Sequence, residues 1–121
     1  MLLRKTFRFE ASHILPRHPG KCSRLHGHSW VLHVSIEGKI NRDTGFVMDY
    51  ADISKVMHPI IGALDHFHLN ELIEYPSSEW VVVWIAKCLE GVAFPWFTIA
   101  LEETCTSYCE ISREEFNAAS Y

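Results

Sequence analysis

The chain has 121 residues, of which 48% are hydrophobic and 21% are charged, a balance typical of one globular domain spanning residues 1–121. Its formal net charge of -4, with no basic run, argues against direct nucleic-acid binding. No apolar run reaches the roughly 20 residues that span a bilayer, and the N-terminus lacks the features of a secretory signal. We therefore expect a soluble, cytoplasmic protein without a membrane partner.

Alternating apolar and polar residues predict two strands in the first half of the chain, over residues 6–13 and 26–37. A loop that contains Pro16 and the pair Pro19-Gly20 separates them. Residues 41–45 have the composition of a turn, which would return the chain into a short strand over residues 46–48. The first half is therefore expected to form an antiparallel sheet.

Helical spacing of apolar residues follows, over residues 49–64 and again over residues 78–90. Pro59 should kink or split the first helix, because proline lacks the N–H that continues the hydrogen-bond ladder. Ser77 is suited to cap the second helix, and Gly91 is suited to end it. We therefore expect two helices after the first pair of strands.

Alternation resumes after Pro95 and predicts a strand over residues 97–105 and a short strand over residues 108–111. The expected fold is α+β, with a four-stranded antiparallel sheet, two helices on one face and the order ββααββ. The uncovered face or edges of so small a sheet favour association with other copies of the chain. No role is assigned to the segment after Ile111.

Three histidines, His13, His26 and His28, form the densest polar constellation. Alternate residues of an extended chain point to the same side, so His26 and His28 can aim at one point, and His13 can approach from the neighbouring strand. Three neutral imidazoles suit Zn²⁺ and leave a fourth position open for substrate or water. A second HxH pair, His66-Phe67-His68, shows that such pairs also arise by chance. On spacing alone, a metal site and histidines that bind no metal are equally possible.

The four cysteines show neither CxxC spacing nor a dense disulfide pattern, which is typical of a reducing compartment. Cys22 could be an inert small hydrophobic residue. It also lies beside Lys21 and Arg24, and basic neighbours favour a reactive thiolate that acts as base or nucleophile. Cys105 and Cys109 are interpreted as packing residues.

Two carboxylates are further candidates. Asp65 precedes His66 in a loop, where it could orient the imidazole of a proton relay, although an ordinary surface turn is an alternative. Glu103 falls on the otherwise apolar face of its strand, where a carboxylate could accept two adjacent N–H groups of an aminopyrimidinone ring. A shift in register that buries Glu102 and exposes Glu103 is the alternative.

Six short motifs lie between residues 5 and 111: Phe9-Glu-Ala-Ser-His13, Cys22-x-x-x-His26-Gly-His28, Thr44-Gly45-x-x-x-Asp49, Leu64-Asp65-His66, Pro76-Ser-Ser-Glu79 and Glu103-Thr-Cys-Thr106. Together they resemble the 6-pyruvoyl-tetrahydropterin synthase family. Three residues separate Cys22 from His26, as in the bacterial branch that makes 6-carboxy-tetrahydropterin in the queuosine pathway, whereas the pyruvoyl-forming branch typically has five. The tetrapeptide Ser77-Ser78-Glu79-Trp80 departs from the family, which often has a threonine there and an asparagine after the glutamate.

The resemblance implies a tunnelling fold (T-fold), in which subunits join their sheets into a barrel, and a homohexamer that is a dimer of trimers with active sites at subunit boundaries. It implies 7,8-dihydroneopterin triphosphate as the substrate and 6-carboxy-5,6,7,8-tetrahydropterin, acetaldehyde and triphosphate as the products. It also implies roles for individual residues: His13, His26 and His28 as zinc ligands, Cys22 as proton acceptor, Asp65 and His66 as relay, Glu103 as pterin anchor, and Ser77 and Ser78 as further pterin contacts. Candidate triphosphate contacts are Arg17, Lys21 and Arg24.

Other functions remain open on the sequence. A related pterin side-chain lyase could use the same scaffold, either a 6-pyruvoyl synthase or an enzyme that releases 6-hydroxymethyl-dihydropterin. A cysteine hydrolase using Cys22 and His66 would form a covalent acyl intermediate and need no metal. If the chain is instead a non-catalytic metal-binding module, replacement of Cys22 by alanine should leave its function unchanged.

Overall fold

The computed structural model describes residues 1–121 and contains one five-stranded sheet and three α-helices. Two short 3-10 turns occur at Lys21–Ser23 and Leu69–Glu71. The order across the sheet is β3-β1-β2-β4-β5. The strands are β1 (Leu2–His13), β2 (His26–Glu37), β3 (Phe67–His68), β4 (Thr98–Thr104) and β5 (Ser107–Ser112), and the helices are α1 (Tyr50–Leu64), α2 (Ser78–Gly91) and α3 (Arg113–Ala118).

Strands β1 and β2 pair antiparallel along their whole length, from Leu2 opposite Glu37 to His13 opposite His26. Their alternating sequences place Phe9 and Trp30, among other apolar residues, on one buried face. Register follows from this burial, because a slip of one residue would move every apolar side chain to the other face. The same register brings two of the three candidate metal ligands, His13 and His26, directly opposite each other.

Both long helices pack on this apolar face and complete one hydrophobic cluster. Helix α1 begins where the Asp49 carboxylate accepts the N–H of Ala51 at 2.9 Å. It continues through Pro59, so of the two expected effects of this proline, a kink or a split, the split is wrong. Helix α2 begins where the Ser77 hydroxyl accepts the N–H of Trp80. None of the three helices combines the length and apolar character that a membrane crossing requires.

The sheet differs from the four-stranded antiparallel sheet expected from the sequence. It is mixed, because β3 pairs parallel with β1 at Ala11 and Ser12. Two residues are too few to show any alternation, and this strand exists only where the chain passes the edge of β1. The strand expected over residues 46–48 is absent, since Val47 and Met48 pack against the core and no other strand pairs with them.

Helix α3 was also missed, so the observed order is ββαβαββα rather than ββααββ. It begins with a capping box, in which the Ser112 hydroxyl accepts the N–H of Glu115 and the Glu115 carboxylate accepts the N–H of Ser112. The Ser-x-x-Glu spacing is the local signal that could have predicted this helix.

Candidate metal centre

Three imidazoles meet at the end of the β1–β2 pair. The ring centroids lie 4.4 Å apart for His13 and His26, 4.9 Å for His26 and His28, and 5.1 Å for His13 and His28. One nitrogen from each ring lies within 4.8 Å of the others, close enough for all three to hold a metal ion. The hypothesis of convergent histidines is therefore supported by the geometry of the sheet.

Backbone carbonyl groups orient two of these rings. His13 Nδ1 donates a hydrogen bond to the carbonyl oxygen of Pro76 at 2.7 Å, and His26 Nδ1 donates to that of Arg24 at 2.7 Å. A carbonyl can only accept, so each Nδ1 carries the hydrogen and each Nε2 keeps its lone pair. Outer hydrogen bonds of this kind are typical of histidines that ligate metals.

The Nε2 atoms of His13, His26 and His28 are buried and have no hydrogen-bond partner. Buried polar atoms are nearly always paired, so three orphaned nitrogens in one place need an explanation. A divalent metal ion would satisfy all three lone pairs at once, and three imidazole nitrogens are a typical zinc donor set. The residues present therefore fit a zinc ion.

Burial also lowers the pKa values of two of the rings, His13 and His28. Desolvation lowers the pKa of His13, and the nearby His26 lowers it further, against the opposing effects of Pro76 and Glu103. Desolvation likewise lowers the pKa of His28, although Glu103 acts in the opposite direction. A lowered pKa keeps an imidazole neutral at neutral pH, which is the form that binds a metal.

Glu103 lies near two of the three histidines, His13 and His28. In the β2–β4 register Val31 lies opposite Glu102, and both residues are on the outer face of the sheet. Because side chains alternate along a strand, Glu103 is on the inner face, which it shares with the buried Ile99 and Leu101. Its carboxylate oxygens lie 3.7 Å from His28 Nε2 and 4.0 Å from His13 Nε2, too far for hydrogen bonds. Glu102 instead contacts His33 Nε2 at 2.7 Å on the opposite face of the sheet. The alternative register is thus wrong.

The start of α2 lies against the same centre, because Pro76 contacts His13 and directly precedes Ser77 and Ser78. The Ser77 hydroxyl caps the helix, and the Ser78 hydroxyl donates to Glu79 at 2.6 Å. Cys109 packs against the core, and burial raises the pKa of its thiol. Cys105 is exposed, so its interpretation as a packing residue is wrong. Ser77 and Ser78 therefore lie at the same end of the sheet as the histidines.

Asp65 and His66 form a hydrogen-bonded pair beside β1. The Asp65 carboxylate accepts the N–H of Glu10 at 2.8 Å and lies 2.9 Å from His66 Nδ1, and these contacts, with Glu10 first, lower the pKa of Asp65. The backbone N–H of His66 donates to the carbonyl of Glu10 at 2.6 Å. His66 adopts a left-handed φ of 55°, and its side chain is 80% exposed. The imidazole is thus held by Asp65 but open to a ligand.

A cavity of about 450 Å³ lies next to this pair. His28, His66 and His68 line it, together with residues of β1 and β2, so it connects the metal centre to the Asp65–His66 pair. Cys22 is not among its lining residues. Within one chain the structure therefore joins His66 to the histidine cluster but does not bring the cysteine to the same cavity.

Cys22 lies in the 3-10 turn Lys21–Ser23 and is half-buried. Its carbonyl oxygen accepts the N–H of the buried Leu15 at 2.9 Å, which ties the loop to the end of β1. No hydrogen bond joins Cys22 to Asp65 or His66. Arg17, from the same loop, stacks its guanidinium 4.0 Å from the ring centroid of Tyr75.

Sequence reasoning missed the groups that orient the histidines. Pro76 and Arg24 act through backbone carbonyls, and every residue has such a carbonyl, so no residue type signals this role. Only the path of the chain in space reveals it.

Comparisons with known proteins find relatives of this chain in sequence and in fold. The family profile of 6-pyruvoyl tetrahydropterin synthase matches residues 2–114. The chain is 39% identical over 114 residues to 6-carboxy-5,6,7,8-tetrahydropterin synthase of Synechocystis sp., covering 88% of each chain. It is 34% identical over 79 residues to dihydroneopterin monophosphate aldolase of Pyrococcus furiosus, covering 65% of this chain and 66% of that protein. The structure of Caenorhabditis elegans 6-pyruvoyl tetrahydropterin synthase has the same fold, with a TM-score of 0.85 over 93% of this chain and 94% of that chain at 23% identity.

Proposed function

This chain belongs to the 6-pyruvoyl tetrahydropterin synthase family, and we propose that it is a zinc-dependent lyase acting on 7,8-dihydroneopterin triphosphate. The reaction consumes one water and yields 6-carboxy-5,6,7,8-tetrahydropterin, acetaldehyde and triphosphate. We place this reaction in queuosine biosynthesis and in the cytoplasm. The four unpaired cysteines are consistent with a reducing compartment.

One observation carries the proposal: three buried histidine nitrogens converge with no partner of their own. The relative in Synechocystis sp. bears the name of the proposed activity and is 39% identical over most of both chains. The three-residue spacing between Cys22 and His26 favours the same branch of the family.

His13, His26 and His28 would hold the zinc ion through Nε2. When bound, zinc would supply Lewis acidity to the hydroxyl groups of the substrate side chain. Burial favours the neutral form of the His13 and His28 rings, and the carbonyls of Pro76 and Arg24 orient the rings of His13 and His26. The protein therefore places these imidazole nitrogens for metal binding before an ion is bound.

Other side chains would bind the pterin and move protons. Glu103 would accept the adjacent N–H groups of the ring in a bidentate contact, with Ser77 and Ser78 as further contacts. Cys22 would accept a proton from the substrate side chain. His66, held by Asp65, would deliver and remove protons during tautomerisation and bond cleavage.

We also propose a homohexamer built as a dimer of trimers. Strand β5 forms one edge of the sheet, and β3 covers β1 on the other edge only at Ala11 and Ser12. Unpaired strand edges favour pairing with another copy of the chain. Such pairing would also let the Cys22 loop of one copy approach the Asp65–His66 pair of another.

A second candidate is supported by the relative in Pyrococcus furiosus. That protein is named a dihydroneopterin monophosphate aldolase and is 34% identical over 65% of this chain. An aldolase would cleave the same side chain to leave 6-hydroxymethyl-dihydropterin, and a pyruvoyl synthase would cleave no carbon–carbon bond. Product identity therefore separates the three activities.

Incubation of the zinc-loaded protein with 7,8-dihydroneopterin triphosphate tests the proposal. We expect acetaldehyde and 6-carboxy-5,6,7,8-tetrahydropterin in equal amounts, and we expect removal of zinc by a chelator to stop their formation. Formation of 6-hydroxymethyl-dihydropterin, from this substrate or from dihydroneopterin monophosphate in a parallel incubation, would favour the aldolase. A pyruvoyl product would favour the other branch. If the protein hydrolyses an ester and keeps this activity after the metal is removed by a chelator, a cysteine hydrolase would be favoured.

A further inference from the structure

The side chain of Asn70 makes a two-point contact with the backbone of Ile14, the residue that follows His13. The N–H of Ile14 donates to Asn70 Oδ1 at 2.8 Å, and Asn70 Nδ2 donates to the carbonyl of Ile14 at 2.8 Å. A primary amide offers a donor and an acceptor side by side, so it can pair with a peptide group as a neighbouring strand does. The amide therefore extends the β1–β3 pairing, which ends at Ser12, by one further contact.

Asn70 is itself held firmly. It lies in the 3-10 turn Leu69–Glu71, directly after Leu69, which is fully buried in the core. The Leu69 carbonyl accepts the N–H groups of Leu72 and Ile73 at 3.0 and 2.8 Å. The amide thus projects from a turn that is anchored on the core, so it can restrain Ile14 rather than follow it.

The backbone position of Ile14 affects where the side chain of the preceding residue, His13, can lie. The register of β1 with β2 ends at the pair His13 and His26, so the sheet does not hold the peptide group that follows His13. The His13 side chain is fixed at one ring atom, by the carbonyl of Pro76. Movement of the Ile14 backbone would therefore pivot His13 about that hydrogen bond and shift its Nε2.

We propose that Asn70 is a positioning residue of the metal centre, which fixes the backbone of Ile14 and so keeps His13 Nε2 directed at the nitrogens of His26 and His28. The inference rests on the proposed function, because it requires that the three histidines hold a metal ion. The Asn70 side chain is hydrogen-bonded to the Ile14 backbone and not to any of the three histidine rings. Its effect is on the geometry of the His13 ligand.

Cobalt(II) binding by the purified full chain tests this role, because the visible absorption of Co²⁺ reports both affinity and ligand geometry. We expect Asn70→Ala to weaken Co²⁺ binding about 10- to 100-fold, the usual effect of removing a group that orients a metal ligand. We also expect a changed absorption spectrum. A purely structural role would lower stability without changing the spectrum of the bound ion.

Asn41→Ala is the matched control. The Asn41 side chain also holds backbone, accepting the N–H groups of Asp43 and Thr44 at 2.9 and 3.2 Å, but in the turn that follows β2. This variant should bind Co²⁺ with the affinity and spectrum of the wild type. A comparable loss of binding in Asn41→Ala would assign the effect to general destabilisation and overturn the inference.

Asn70→Asp is the second variant, and it decides the question if Asn70→Ala does not fold. The carboxylate can still accept the N–H of Ile14 but cannot donate to its carbonyl, so we expect weakened Co²⁺ binding here as well. Wild-type affinity and spectrum in the folded Asn70 variants would overturn the inference and leave the metal centre standing. Absence of Co²⁺ binding in the wild type would instead refute the metal centre itself and the role of Asn70 with it.

Discussion

His13 Nδ1 donates to the carbonyl oxygen of Pro76 at 2.7 Å and joins the end of β1 to the start of α2 across 63 residues of sequence. The bond settles the tautomer of a fully buried imidazole and leaves Nε2 free to bind a metal. It also holds Ser77 and Ser78 beside the histidine cluster. The proposed metal and pterin contacts therefore depend on the same junction between sheet and helix.

Replacement of a single ligand should remove the metal without unfolding the chain. We expect His26→Ala to reduce the zinc content from about one ion per chain to nearly none, because two imidazoles hold zinc far less tightly than three. The His26 ring is half-buried, so its loss should leave the circular dichroism spectrum unchanged. Elemental analysis measures the zinc content. His58→Ala, at an exposed position of α1, is the control and should retain zinc.

Glu103→Gln should weaken pterin binding without changing metal binding. The amide keeps the shape but loses one acceptor and the charge, and a charge-assisted hydrogen bond contributes about 1.5–3 kcal/mol. We expect a KM roughly 10- to 100-fold higher with unchanged zinc content. Glu102→Gln is the control, because its carboxylate contacts His33 instead. An unchanged KM in Glu103→Gln would remove Glu103 from pterin recognition.

Cys22→Ala should separate catalysis from binding. Loss of a general base typically lowers the rate by about 10²- to 10⁴-fold, and we expect this fall in kcat with zinc content unchanged. Initial rates of acetaldehyde release measure it. The exposed thiol of Cys105, in the connection between β4 and β5, provides the control variant Cys105→Ala, which should keep full activity. Full activity in Cys22→Ala would show that another group accepts the proton.

Asp65→Asn should change how stability depends on pH. The pKa of Asp65 is lowered in the folded chain, by the N–H of Glu10 first and then by His66, so the ionised form favours folding. This contribution is fully present above the ordinary carboxyl pKa of about 3.9 and is lost as pH falls below it, through the folded-state pKa.

Urea unfolding of the wild type and Asp65→Asn across a pH series measures this contribution. The stability of the wild type relative to the variant should decline as pH falls below about 3.9. The variant Asp43→Asn is the control, because the Asp43 carboxylate makes no hydrogen bond and lies in the exposed turn after β2. A difference between wild type and Asp65→Asn that stays constant down to pH 2 would contradict the prediction.

Most long elements were predictable because they have a periodic sequence, although β1, predicted over residues 6–13, begins four residues earlier, at Leu2. Strand β2 was predicted with its observed bounds, and α1 and α2 were predicted within one residue at each end. Strand β3 was not predictable, since two residues carry no period and its pairing depends on β1. Helix α3 is different, because its Ser112 and Glu115 capping box is a local signal that indicates the start of a helix.

The candidate site divides in the same way. Residue types and spacing predicted His13, His26 and His28 as a group, because alternation along a strand is a local property of the chain. Folding alone decided that the register directs Glu103 at these rings, that the Pro76 carbonyl orients His13, and that Asn70 restrains Ile14. Such contacts join residues distant in sequence, often through backbone groups that all residues share, so they depend on the path of the chain through space.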